Sequence, residues 1–190
     1  MAEATTLFGM DIDQVARDAE LVFEGRVINS ETRQDPNSGI VSTYITFSIV
    51  DVIKGDYNGS SLELRFMGGS FNGEITEVSG LTIPGLGEEG IYFVEALDRN
   101  LVNPLLGWSQ GHFIIEEDGG ERLIRTTDLN PVVDVQPVSR IPASIKKSQA
   151  LIEGKSDVAA GVSVDYSQLS TASGLSVSEF KARIRALIEN

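Results

Sequence analysis

The chain has 190 residues, a net charge of −13 at pH 7, a hydrophobic fraction of 41% and no cysteine. That length suits one domain with appendages and a sizeable core, and the charge opposes binding of phosphate backbones as a whole-molecule property. The missing thiols exclude disulfides, thiolate nucleophiles and thiolate metal sites.

No run approaches the ~18 consecutive apolar residues of a membrane span. The opening Met1-Ala2-Glu3-Ala4 lacks the basic start and apolar core of a signal peptide; the chain is expected to be the mature form of a secreted or periplasmic protein. Asp11 and Gln14 have the spacing of a helix N-cap and its reciprocal partner, with Met10 and Val15 as a hydrophobic staple. Ile12, Val15, Ala16 and Ala19 then fall on one helical face. The stretch from Leu21 to Ile53 organises the rest of the chain. In Leu21–Ile28, Leu21, Phe23 and Val27 share a face, with Glu24 and Arg26 opposite, and Gly25 marks a bulge. Asp35-Pro36-Asn37-Ser38-Gly39 has the residues of a turn. It begins like a calcium loop, but the acid needed at the twelfth position is Thr46, so turn chemistry is the reading. In Val41–Ile53, Ile45, Phe47 and Ile49 keep one phase and Val50 and Val52 take the other, which predicts a second bulge. Leu62, Leu64 and Phe66 make a third strand.

The 68–90 stretch contains seven glycines and one proline and is expected to be a long loop, with room for one short strand among Ile75, Val78, Leu81 and Ile83. Ile91–Val94 is apolar on both faces, as in a central strand. His112–Glu116 and Arg122–Arg125 form a hairpin. Prolines at 131, 137 and 142 interrupt Val-rich pieces beyond Thr127, a short helix is expected within Ile141–Glu153, and Gly154–Gly174 has linker composition. The last element is a helix over Val177–Ile188, with a capping box at Ser176 and Glu179 and an apolar stripe of Phe180, Ile184, Leu187 and Ile188. Lys181, Arg183 and Arg185 are expected on its solvated face. The organisation is thus 1–127 as a β domain with its N-terminal helix, 128–175 as an irregular, partly linker-like extension, and 176–190 as an amphipathic helix.

Gly107-Trp108-Ser109-Gln110-Gly111 matches the G-x-S-x-G pattern of hydrolases. That motif joins a parallel strand to a helix, whereas a strand comes next here, Pro104 precedes, and His112 stands only three positions from Ser109. A single histidine without cysteine leaves little for zinc or copper, and no phosphate-binding glycine motif is present. No catalytic residue, metal ligand or cofactor is assigned. The binding candidates are Trp108, Gln110 and His112 of this turn, with Phe71 and Ile83 of the glycine-rich stretch.

Several pieces carry a resemblance: Glu20–Val27, Tyr44-Ile45-Thr46-Phe47 with Val52-Ile53-Lys54-Gly55, Gly107–Phe113, and Ser176–Phe180. Together they resemble a set of uncharacterised exported bacterial proteins. The resemblance implies a coiled five- to six-stranded OB-like barrel, similar in outline to the inhibitory domain of tissue metalloprotease inhibitors. It implies a structural role for Gly107, Gln110, Gly111 and Phe113. Some such proteins accompany secreted metalloproteases, which suggests inhibition or chaperoning, although this chain lacks the N-terminal cysteine with which those inhibitors block zinc. The expected function is a non-enzymatic exported module that binds a protein or peptide. Its alternatives are an inhibitor or accessory protein of a secreted protease acting through the 68–90 loop, and a hydrolase using Ser109.

Overall fold

The computed structural model describes residues 9–140, 158–167 and 174–189. Its centre is an antiparallel six-stranded sheet. The strands are β1 (Leu21–Gln34), β2 (Val41–Lys54) and β3 (Ser61–Met67), then, after a small hairpin of β4 (Gly69–Phe71) and β5 (Glu74–Thr76), β6 (Glu89–Val94), β7 (His112–Asp118) and β8 (Glu121–Arg125). The spatial order is β3-β2-β1-β6-β7-β8. A separate pair joins β9 (Val132–Val135) to β10 (Val162–Val164). Helices α1 (Ile12–Asp18) and α2 (Val177–Glu189) complete the fold. Among the described residues β3 and β8 are edges and no pairing joins the two ends of the sheet.

The β-branched and aromatic residues of β1 and β2 favour extended backbone, and the two positions marked in their sequences, Gly25 and Ile49-Val50, fall on one register shift rather than two. The β1–β2 ladder passes from Glu24↔Asp51 to Gly25↔Ile49, which leaves Val50 as the extra residue. At Gly25 an added Cβ would sit 2.7 Å from the Phe23 ring, so the bend requires glycine. A further shift, between Val27↔Phe47 and Asn29↔Thr46, makes Ile28 the extra residue on β1. Val50 and Ile28 are exposed, whereas Ile53, the extra residue at a third shift between Val22↔Lys54 and Phe23↔Val52, is buried.

The sheet is apolar on both faces. On one, Leu21, Phe23, Val27, Ile45, Phe47, Leu64, Phe66, Tyr92 and Val94 form a core, with the rings of Phe23, Phe47 and Tyr92 at centroid distances of 4.7–5.4 Å. On the other, α1 and α2 bury Ile12, Val15, Phe180, Ile184 and Leu187 against Val22, Phe93, Phe113 and Ile124. Phe113 and Phe180 pack at 4.8 Å between centroids.

The N-terminus of α1 departs from expectation. Asp11 makes no side-chain cap; instead the Ile12 N–H donates to the Ala160 carbonyl at 2.8 Å and Asp13 accepts the Val138 N–H at 3.0 Å. Chain from the supposed extension therefore satisfies the helix end that a local cap would otherwise serve. Within 128–175, Val132, Val135 and Ala159 lie in the helix-side core. The helix expected within 141–153 falls outside the described residues. At α2 the capping box forms, with Ser176 N–H donating to Glu179 at 3.0 Å and Glu179 N–H to the Ser176 hydroxyl at 3.3 Å.

The basic face of α2 is ion-paired to the sheet, with Lys181 mostly buried and Arg183 and Arg185 still in contact with solvent. Lys181 donates to Glu24 at 2.7 Å and to Asp51 at 2.8 Å, Arg185 reaches Asp51 at 3.0 Å, and Arg183 pairs with Asp134. Glu24, 1% exposed, also accepts from Arg122 at 2.8 Å. A buried carboxylate is tolerated only when its lone pairs are met this fully.

Candidate functional site

Past β3 the chain reverses sharply. Gly68 and Gly69 have φ of +96° and +123°, a region that side-chain-bearing residues avoid. A Cβ at Gly69 would stand 2.2 Å from the Thr43 hydroxyl. That hydroxyl donates to the Gly68 carbonyl at 2.8 Å and lies 3.1 Å from the hydroxyl of Thr32. The root of the β4–β5 hairpin is thereby fixed to β1 and β2. Its tip, Asn72-Gly73, has positive φ at both residues, 51° and 84°, as a two-residue hairpin turn whose twist matches that of its strands demands. The hairpin presents Ile75, 71% exposed. The returning chain makes a turn closed by Leu81 N–H to the Val78 carbonyl, 3.1 Å, and Leu81 and Ile83 pack onto the aromatic core.

Between hairpin and returning chain lies a groove of about 460 Å³, lined by Met67, Ile75, Val78, Leu81 and Ile83, with Ser70, Thr76 and Ser79 as hydroxyl donors and Glu77 as the charged member. Among the described residues neither Glu77 nor Glu74 takes part in an ion pair. Physically this is a shallow groove of mixed polarity, with aliphatic side chains beside hydroxyls and one carboxylate, Glu77, without an ion pair.

Of the residues singled out in the sequence, Ile83 lines the groove; Phe71 ends β4, half-buried, and is not part of the lining. Trp108, Gln110 and His112 do not line it either. Trp108 opens a single 3-10 turn, Trp108–Gly111, at φ +60° and is half-buried. Gln110 is buried and braces the N-terminal segment: its Oε1 accepts the Met10 N–H at 2.7 Å and its Nε2 donates to the Gly107 carbonyl at 3.2 Å. His112, 1% exposed, places Nε2 2.7 Å from Glu88 and stacks against Tyr92 at 5.2 Å. Its Nδ1 is buried without a hydrogen-bond partner. Glu88 also accepts from Tyr92 at 3.1 Å and from the Gly85 N–H at 3.2 Å. Burial pushes the Glu88 carboxyl up, but the His112 hydrogen bond and charge, with the bonds from Gly85 and Tyr92, outweigh it and hold the group below its ordinary value. Burial, then the Glu88 charge, pushes the Tyr92 phenol far above its usual range. This network fastens the end of the 68–90 stretch, whose Gly87 N–H donates to the Val27 carbonyl at 2.9 Å.

Neither imidazole nitrogen bonds Ser109, since Nε2 faces Glu88 and Nδ1 has no partner. No group of three or more His, Asp or Glu side chains is placed to hold a metal among the described residues, and no described helix is long and apolar enough to cross a membrane. A larger opening of about 810 Å³ lies beside the start of α2, but its basic residues Arg122 and Lys181 are already committed to Glu24, Glu89 and Asp51.

Ile75, Met67, Val78 and Glu77 carry no site signal of their own in the sequence. The available signal is Asn72-Gly73, a hairpin dipeptide flanked by Phe71 and Ile75. No protein-family model matches the chain, and neither does any curated protein or solved structure.

Proposed function

We propose that this chain is an exported, non-enzymatic binding module that takes an extended protein or peptide segment in the groove between the β4–β5 hairpin and residues 77–83. The observation that carries this reading is Ile75, a large aliphatic side chain held mostly in solvent on a hairpin whose root is pinned by glycines and threonine hydroxyls. Exposed apolar surface on a preorganised element is what a recognition site needs, because little conformational entropy is then lost on binding. The strand order β3-β2-β1-β6-β7 and the bulges in β1 and β2 support a partly open OB-like barrel as the scaffold. A second reading, an inhibitor or accessory protein of a secreted metalloprotease, draws on the same pinned hairpin, since inhibitory loops gain affinity from rigidity.

The test is isotope-edited NMR with pools of short extended peptides. Amide shifts concentrated in 67–83 support the groove; shifts at Trp108–His112 instead, or none in any pool, overturn it. A panel of secreted metalloproteases assayed with a stoichiometric amount of the chain addresses the second reading, which fails when no rate changes. Ser109→Ala is expected to leave generic ester and peptide assays unchanged. Activity present in the natural chain and lost in that variant would put hydrolysis back in place of binding.

A further inference from the structure

We infer that the segment received by this groove is cationic: an extended peptide that seats an aliphatic or aromatic side chain beside a lysine or arginine. The inference rests on the groove reading above and adds the partner's chemistry. Glu77 is the charged residue of the lining, and Glu74 stands on the same hairpin. Both are exposed and neither has an ion-pair partner among the described residues. The carboxylates packed against α2 and β8 are matched from within: Glu24 by Arg122 and Lys181, Asp51 by Lys181 and Arg185, Glu89 by Arg26 and Arg122, Asp134 by Arg183. Glu77, without an ion pair among the described residues, is the carboxylate that lines the groove.

The apolar wall and the carboxylate together select the ligand. A cavity of about 460 Å³ accepts one or two side chains of an extended segment, in the lower part of the range of ligand pockets. Met67, Ile75, Val78, Leu81 and Ile83 form the apolar part of its walls, which suits an apolar side chain. Ser70, Thr76 and Ser79 can bond the backbone on either side. A neighbouring side chain of the ligand then meets Glu77, where a carboxylate is repelled and an ammonium or guanidinium attracted. The net charge of −13 acts in the same sense at long range and raises the encounter rate of a cationic segment. A divalent cation alone would find a single groove carboxylate, too few oxygens for calcium or magnesium.

The experiment titrates the isotope-labelled chain with three short acetylated peptides in which leucine alternates with lysine, with serine or with glutamate. The lysine peptide is expected to shift amides in 67–83 and to bind at least ~10-fold more tightly than the serine peptide, with the difference collapsing at high salt. The glutamate peptide is expected to leave the spectrum unchanged. In Glu77→Lys the order of the lysine and glutamate peptides reverses. Equal binding of lysine and serine peptides within 67–83 overturns the charge preference while the groove reading stands. No shift in 67–83 with any peptide overturns the groove reading itself. Lysine-dependent shifts around Glu116–Glu121 that survive Glu77→Lys mean diffuse attraction to an acidic surface, and overturn the assignment to this groove.

Discussion

Helix α2 and the β4–β5 hairpin carry the same kinds of side chain, aliphatics beside charges, and treat them in opposite ways. On α2, Phe180, Ile184 and Leu187 are buried, and Lys181, Arg183 and Arg185 each meet a carboxylate of β1, β2 or β9. On the hairpin and just after it, Ile75 is in solvent and neither Glu74 nor Glu77 has an ion pair among the described residues. The difference shows that a charged amphipathic element is not by itself a recognition surface. What distinguishes the two is whether the molecule has already supplied the complementary group. A satisfied surface has no binding energy left to offer, whereas an unsatisfied one on a rigid root does.

Breaking the closed side carries the largest expected effects. Phe180→Ala removes a fully buried ring from its contact with Phe113 and is expected to cost about 3–5 kcal/mol of unfolding free energy, read from urea midpoints. Glu24→Ala leaves Lys181 and Arg122 without their shared buried acceptor. Its expected cost is about 2–3 kcal/mol, below the full penalty for breaking a buried pair because Arg122 reaches solvent.

The pH dependence sharpens the same side. The Lys181 hydrogen bond, assisted against partial burial by the Lys181 charge and by Arg185, holds the Asp51 carboxyl below its ordinary value of 3.8. A carboxyl depressed in the folded state contributes stability that is present above its unfolded value and lost as pH falls through the folded one. Urea midpoints should therefore drop on acidification below about pH 4, and Asp51→Asn should show a shallower drop. An identical slope in that variant would mean that Asp51 contributes nothing to the acid sensitivity. The smallest expected stability change belongs to the open side. Ile75→Ser should move unfolding by less than about 0.5 kcal/mol while weakening binding of the lysine-leucine peptide; a loss of stability comparable with Phe180→Ala would mean that Ile75 is structural.

Sequence reading goes furthest where the determinants are local. Alternation places the strands, and the anomalies at Gly25 and Val50 fall together on a single register shift of the β1–β2 ladder. Ser176 and Glu179 cap α2 because both partners lie within one turn. It fails where the partner is distant along the chain. A helical wheel shows that Lys181 is off the apolar stripe but not that Glu24 and Asp51 wait 157 and 130 residues away. Likewise Asp11 and Gln14 have capping spacing, yet the Ile12 N–H is taken by Ala160. For the site, the stretch 68–90 is legible as important but not as shaped. Its glycines read as loop, whereas Gly68 and Gly69 root a hairpin that packs at Thr32 and Thr43. The Trp108 turn draws attention through a hydrolase-like spelling; its Gln110 and His112 are buried and internally bonded.

The central claim is that recognition belongs to the hairpin groove and not to the α2 face. Amide hydrogen exchange of the whole chain with and without saturating lysine-leucine peptide tests it most directly. Recognition at the groove predicts slowed exchange within 67–83 and unchanged exchange over 177–189. Protection of α2 with no change in 67–83 would contradict it.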